Sequence, residues 1–119
     1  MTPIPQEKPV RWISGAVKSP PFSFEARLEA GGLLGALQQG QTLSLPQSRP
    51  MPRIGNRCHE LRIKDGRKEW RIIYRTDPSE ILVLAVFQKK TRTTPVDIID
   101  ICKKRLSDYD TNQRGQNNG

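Results

Sequence analysis

The sequence predicts an α+β domain built on an antiparallel sheet with one charged face. Three stretches carry that prediction: a strand–turn–strand from Arg57 to Tyr74, an apolar strand from Ile81 to Phe87, and a capped helix opening at Thr94. The first reads RCHELRIKDGRKEWRIIY, with Asp65-Gly66 at its centre. Asp-Gly is a type I′ turn signal, because both central residues of that turn need positive φ. The turn sets Lys64 opposite Arg67, Arg62 opposite Glu69, Leu61 opposite Trp70 and Glu60 opposite Arg71. Neighbours on a strand alternate and opposite residues share a face. Leu61, Ile63, Trp70, Ile72 and Tyr74 therefore form a core face. Glu60, Arg62, Lys64, Arg67, Glu69 and Arg71 form a charged platform.

The strand ILVLAVF is apolar on both parities, the pattern of a strand covered on both sides. A symmetric turn over Asp77–Ser79 pairs Val86 with Arg71 and puts Gln88 and Lys90 on the platform side. A slip of one residue exchanges Lys90 for Lys89. In the helix, Thr94 is the expected N-cap, Pro95 occupies N1 and Asp97 sits at N3. Ile98, Ile99, Cys102, Leu106 and Tyr109 make its buried stripe. Lys103, Lys104 and Arg105 near its end suit the macrodipole.

Upstream, residues 1–9 hold three prolines and read as an extended lead-in. Residues 10–17 read as a strand anchored by Trp12 and Ile13. Ser19-Pro20 suits a helix start. Phe22, Ala26, Ala30, Leu33, Leu34 and Leu37 recur at helical spacing. Gly31-Gly32 is expected to split or bend that helix, and Gly40 to close it. Residues 41–56 read as a loop, with Pro46, Pro50 and Pro52 excluding regular structure. The folded domain is thus residues 10–109. The stretch 110–119 has nothing to bury and is expected to be a disordered tail.

A chain of 119 residues suits one domain. Its net charge of +8 points to an anionic partner, nucleic acid or an acidic protein, with solubility as the plainer reading. Two cysteines, Cys58 and Cys102, are too few and too far apart for a disulfide framework or a CxxC pair, and read as reduced thiols. No apolar run approaches a membrane span, and the start is not a secretion signal, so a cytoplasmic protein is expected.

A single histidine leaves no His-rich metal site, and neither a Gly-rich phosphate loop nor a GxSxG motif occurs. No cofactor or metal is called for. Cys58 and His59 are neighbours on a strand and point to opposite faces, which argues against a nucleophile–base pair. His59 shares parity with Leu61 and suits a packed or edge position. The platform of Arg62, Lys64, Arg67 and Arg71, joined by Lys89 or Lys90, gathers cations with few carboxylates. Either it is a solvated face, or it holds an anion, and phosphate is the anion that Arg recognises bidentately.

The run CHELRIKDGRKEWRIIYRTDPSEILVLAVFQKKTRTTPVDIIDICKKRL resembles the C-terminal half of the RelE/ParE toxin superfamily, closest to its phage-derived, HigB-like branch. The HELR and WRIIY strands, the VFQKKTRTTP strand end and the closing helix with its KKRL carry the resemblance. LLGALQQGQTLSLPQSRPM resembles that branch's helix and proline-punctuated loop. The resemblance spans residues 10–109. It implies a RelE-like, microbial-ribonuclease-like antiparallel sheet with helices packed on one face. It further implies a type II toxin that cuts translated mRNA at the ribosome without a metal, and a cognate antitoxin, commonly a helix-turn-helix protein. Residues matching the family's basic active face are Arg62, Lys64, Arg71 and Lys90, with Arg67, Lys68, Lys89 and Arg92 as RNA contacts. The chain departs from the RelE pattern near the final helix, where Thr93-Thr94-Pro95-Val96 stands in place of a tyrosine or histidine. For proton transfer the candidates are Lys64 and Lys90, where crowding by like charges can lower a pKa, with Glu60 as a rival base and His59 as a further candidate. For Glu60 a cross-strand pair ordering Arg71 is the competing role. Two alternatives stay open: a ParE-like DNA gyrase poison, and a non-catalytic RNA- or DNA-binding module.

Overall fold

The computed structural model describes residues 7–13 and 21–117, with backbone alone for 114–117. Seven elements run in the order β1 (Val10–Trp12), α1 (Phe24–Gln38), β2 (Ser48–Pro50), β3 (Cys58–Asp65), β4 (Lys68–Thr76), β5 (Ile81–Gln88) and α2 (Val96–Asn117). The strands form one sheet in the order β1-β5-β4-β3-β2. The expected α+β class is what the chain adopts. In detail the sheet is mixed rather than antiparallel throughout, because β1 pairs with β5 in parallel. Such a pairing is open to strands separated by a long crossover. The two helices also lie on opposite faces instead of one.

Alternation along the strands explains the two faces. Leu61, Ile63, Trp70, Ile72, Tyr74, Ile81 and Val83 pack under α1, against Phe22, Ala26, Ala30, Leu34 and Leu37. Ile73, Leu82, Leu84 and Ala85 point the other way and pack with Ile99, Cys102 and Leu106 of α2. α2 covers only part of that second face, and the charged platform occupies the remainder.

The hairpin faces are as expected, but the register differs by two residues. Asp65 pairs with Lys68, Ile63 with Trp70, Arg62 with Arg71 and Glu60 with Ile73. The turn is Gly66-Arg67, with positive φ at Gly66 alone (62°). That is the requirement of a type II′ turn, not a type I′ turn. Asp65 is thereby freed to act elsewhere. Its carboxylate accepts from the Ser23 backbone N–H at 2.9 Å and from the Trp70 indole at 3.2 Å. Those bonds, the Ser23 ones first, hold it below the usual carboxylate range. The turn is thus fastened to the start of α1.

α1 begins at Phe24 with Ser23 as its N-cap, whose hydroxyl accepts from the Ala26 N–H. The expected start at Ser19-Pro20 lies outside the described residues, as does the end of the strand read over residues 10–17. The helix passes unbroken through Gly31 and Gly32, contrary to expectation. Burial of its stripe outweighs two glycines at about 1 kcal/mol each. Gly40, at φ 87°, follows the last turn as expected. The stretch read as a loop over residues 41–56 contains β2, which pairs with β3 through Ser48, Arg49 and Pro50. An edge strand tolerates proline because one side of its ladder is unused. α2 continues to Asn117, through residues that the sequence leaves outside the domain. Asp110 on this extension receives two bonds from Arg75, at 3.0 and 2.8 Å.

β4 and β5 lose step between Ile73 and Tyr74: Ile73 pairs with Ala85, whereas Tyr74 pairs with Val83. Leu84 is the extra residue of this bulge. Its carbonyl accepts from the Arg105 guanidinium of α2 at 2.5 Å. Beyond the bulge Arg71 pairs with Phe87, so by parity Lys89 rather than Lys90 falls in step with Arg71.

Candidate nucleic-acid interface

The part of the second face left open by α2 holds a cavity of about 580 Å3. Its lining brings together Arg62 from β3, Arg67 from the turn, Arg71 from β4, and Lys89, Lys90 and Arg92 from the segment after β5; Glu69 and Thr91 complete it. Six cations face one carboxylate. Lys89 enters because its N–H bonds the Glu69 carbonyl at 2.7 Å, extending the β4–β5 ladder past the end of β5.

Beneath the cavity lies a buried ionic cluster. Glu60 has no solvent exposure. Its Oε1 is 3.2 Å from Arg49 Nη2 and 3.4 Å from Arg71 Nε, and its Oε2 accepts from the Thr94 hydroxyl at 2.5 Å. Arg71 is itself buried, donates to the Trp70 carbonyl at 3.1 Å, and pairs with Glu69 at 3.0 Å. Thr94 therefore spends its hydroxyl on Glu60 rather than on capping α2. The Nε atoms of Arg49 and Arg62 are buried without a hydrogen-bond partner among the described residues, and that of Arg71 has only its 3.4 Å ion pair with Glu60. Lys89 titrates below an ordinary lysine: burial is the main cause, the Arg71 guanidinium adds to it, Glu60 opposes it, and Arg49 and Arg62 add less.

The residues singled out in the sequence divide into three groups. Arg62, Arg67, Arg71, Lys89, Lys90 and Arg92 converge on the cavity. Lys64 and Lys68 do not: both are exposed next to the turn, where Lys64 pairs with Glu69 and Lys68 with Asp65. His59 and Glu60 need correction as proton-transfer candidates. His59 lies on the α1 face, stacked on Tyr74 with centroids 5.4 Å apart. The whole sheet separates it from the cavity. Glu60 is on the cavity side but sealed beneath Arg71. The expected Glu60–Arg71 contact exists, although it is diagonal across the strands, since Glu60 pairs with Ile73. Glu69, already on the platform by parity, pairs with Arg71, whereas Arg49 and Thr94 were missed as site residues. Only their long-range contacts single them out, and Arg49 sits in a proline-flanked stretch with no alternation to read.

Among the described residues no group of three or more His, Cys, Asp or Glu could hold a metal ion. No helix among them is long and apolar enough to cross a membrane. The arrangement suits an anion with several oxygens. Guanidinium and ammonium groups gathered round an open cavity are the groups that bind phosphate oxygens.

No curated protein and no solved structure matches the chain significantly. Residues 22–107 match a family model, spanning α1 through most of α2 and every residue of the cation cavity. The chain belongs to the phage-derived protein Gp49-like family (DUF891), a family related to RelE-like toxins.

Proposed function

We propose that this chain is the toxin of a type II toxin–antitoxin pair, an endoribonuclease that cuts mRNA without a metal and acts on translated message at the ribosome. The observation that carries the reading is the convergence of six cations on one open cavity above unpartnered guanidinium N–H groups. The family's relation to RelE-like toxins supports it.

In this reading the RNA 2′-hydroxyl attacks the adjacent phosphate, giving a 2′,3′-cyclic phosphate and a 5′-hydroxyl. Arg62 and Arg71 stabilise the charge that develops on the phosphorane. Arginine does not deprotonate, so proton transfer falls to lysine. Lys89, whose ammonium gives up its proton more readily than an ordinary lysine's, takes the 2′ proton. Lys90 gives a proton to the leaving 5′ oxygen, and Arg67 and Arg92 hold flanking phosphates. A helix-turn-helix antitoxin with an acidic segment would cover the same cavity.

Incubation of the purified chain with single-stranded RNA in excess chelator tests this directly. Fragments ending in 2′,3′-cyclic phosphate are expected. Replacing one stabilising group, as in Arg62→Ala, is expected to slow cleavage about 100-fold or more. Arg62→Ala combined with Arg71→Ala should also abolish growth inhibition. Undiminished toxicity in a folded double variant would sink the assignment. The burial of Glu60 and the position of His59 across the sheet favour one second reading, a non-catalytic nucleic-acid-binding module. Binding of RNA without any cleavage would establish that instead, and filamentation with an SOS response on induction would mark a gyrase poison.

A further inference from the structure

A second cleft, of about 300 Å3, adjoins the cation cavity and has no part in the scheme above. Its volume is at the low end for cavities that take small ligands. Pro50, Met51 and Pro52 from the exit of β2 and Ile99 from α2 give it apolar walls. Its polar groups are Arg49 and Thr94, with Arg53 and Thr93 exposed at the rim.

Two observations tie the cleft to the cavity. Glu60 holds Arg71 of the cavity and, with the same carboxylate, Arg49 and Thr94 of the cleft. The single segment Lys89–Thr94 lines the cavity with its first four residues and the cleft with its last two. A chain laid along that segment would have phosphates at one and the neighbouring group at the other.

The chemistry of the cleft selects what that group is. Apolar walls exclude a second phosphate and favour a flat, weakly polar ring. Glu60 and Met51 engage Arg49 only through Nη2, at 3.2 and 3.8 Å, and its Nε is buried without a hydrogen-bond partner among the described residues. Both protons of Nη2 are thus engaged and Nε is buried, so the two donors of Nη1 remain for a ligand. Two acceptors side by side on a ring edge would match them, as N7 and O6 of guanine do; adenine offers one acceptor and one donor there.

We propose that this cleft is the nucleobase subsite of the RNA site and that it prefers guanine, read by Arg49. The proposal rests on the RNA reading of the cation cavity. The test uses the intact chain and short oligoribonucleotides, 2′-O-methylated to block cleavage, with G, A, C, U or an abasic ribose at one position. Affinity and backbone amide shifts are followed by NMR. The G oligomer is expected to bind on the order of tenfold more tightly than the abasic one. Amides of Met51, Arg53, Thr93 and Thr94 should shift only when a base is present, while those of Lys89–Arg92 shift with every oligomer. Thr93→Trp, which fills the cleft from its rim, should bring the G oligomer to the abasic level.

Equal affinity of G and abasic oligomers, with the Lys89–Arg92 shifts intact, would overturn the base subsite and leave the RNA reading standing. A G advantage that survives Thr93→Trp would overturn the location. Failure of every oligomer to bind would overturn the RNA reading itself.

Discussion

Glu60 is sealed from solvent, with Oε1 shared between Arg49 and Arg71 and Oε2 bonded to Thr94. A carboxylate so placed orders its partners. Removing its charge leaves buried guanidinium groups uncompensated, so Glu60→Gln is expected to destabilise the fold by about 3 kcal/mol in chemical denaturation. Lys89 calls for a different measurement. As the proton acceptor it works only when neutral, so cleavage should rise with pH as the ammonium loses its proton. Because its pKa is lowered, that rise should come below the ordinary lysine value of about 10.4. Lys89→Arg should remove the rise while keeping RNA affinity. Single-turnover rates across pH, with binding measured in parallel, check both statements. At this scale the sequence showed the cations of the hairpin and of FQKK, because charge is read directly from residue type. It did not show Arg49 as their neighbour, because that contact is made across β2 and β3 and leaves no local periodicity.

The elements were legible wherever a period was present. The hairpin faces came out correctly because any shift by two residues preserves parity. Its pairing did not, because an Asp-Gly pair can be the centre of a turn or, as here, supply Gly66 as the first of two turn residues. β2 was hidden by the prolines around it, and the bulge by the apolar run of β5, whose two parities look alike. The unbroken course of α1 shows tertiary burial overriding local propensity. A Cβ added at Gly31 or Gly32 would meet nothing within 4 Å. Gly31→Ala and Gly32→Ala should therefore each stabilise the chain by about 0.5–1 kcal/mol. Thermal denaturation of the single and double variants checks this, and a loss of stability would mean the glycines serve some other requirement.

Across the molecule, the sheet separates two kinds of packing. One face is closed by α1 with Phe22 and Leu43 beside it; the other is divided between α2 and a cavity rich in positive charge. A net charge of +8 then has a direction. If the cavity binds RNA, log affinity should fall linearly with log salt, by about 0.7 for each phosphate neutralised. Arg67→Ala should flatten that slope by roughly one such step, as read by fluorescence anisotropy over a salt series. The overall class could be inferred from the order of strands and helices, whereas the side taken by α2 could not, because Ile73, Leu82 and Leu84 are apolar on the face that the hairpin marks as charged. The bulge at Leu84 adds a consequence of its own. A straight ladder from the β4–β5 turn would put Lys90 in step with Arg71, and the spare residue at Leu84 puts Lys89 there instead. Two consecutive lysines make the site tolerant of that choice: wherever β5 takes up its extra residue, an ammonium group still arrives beside Arg71.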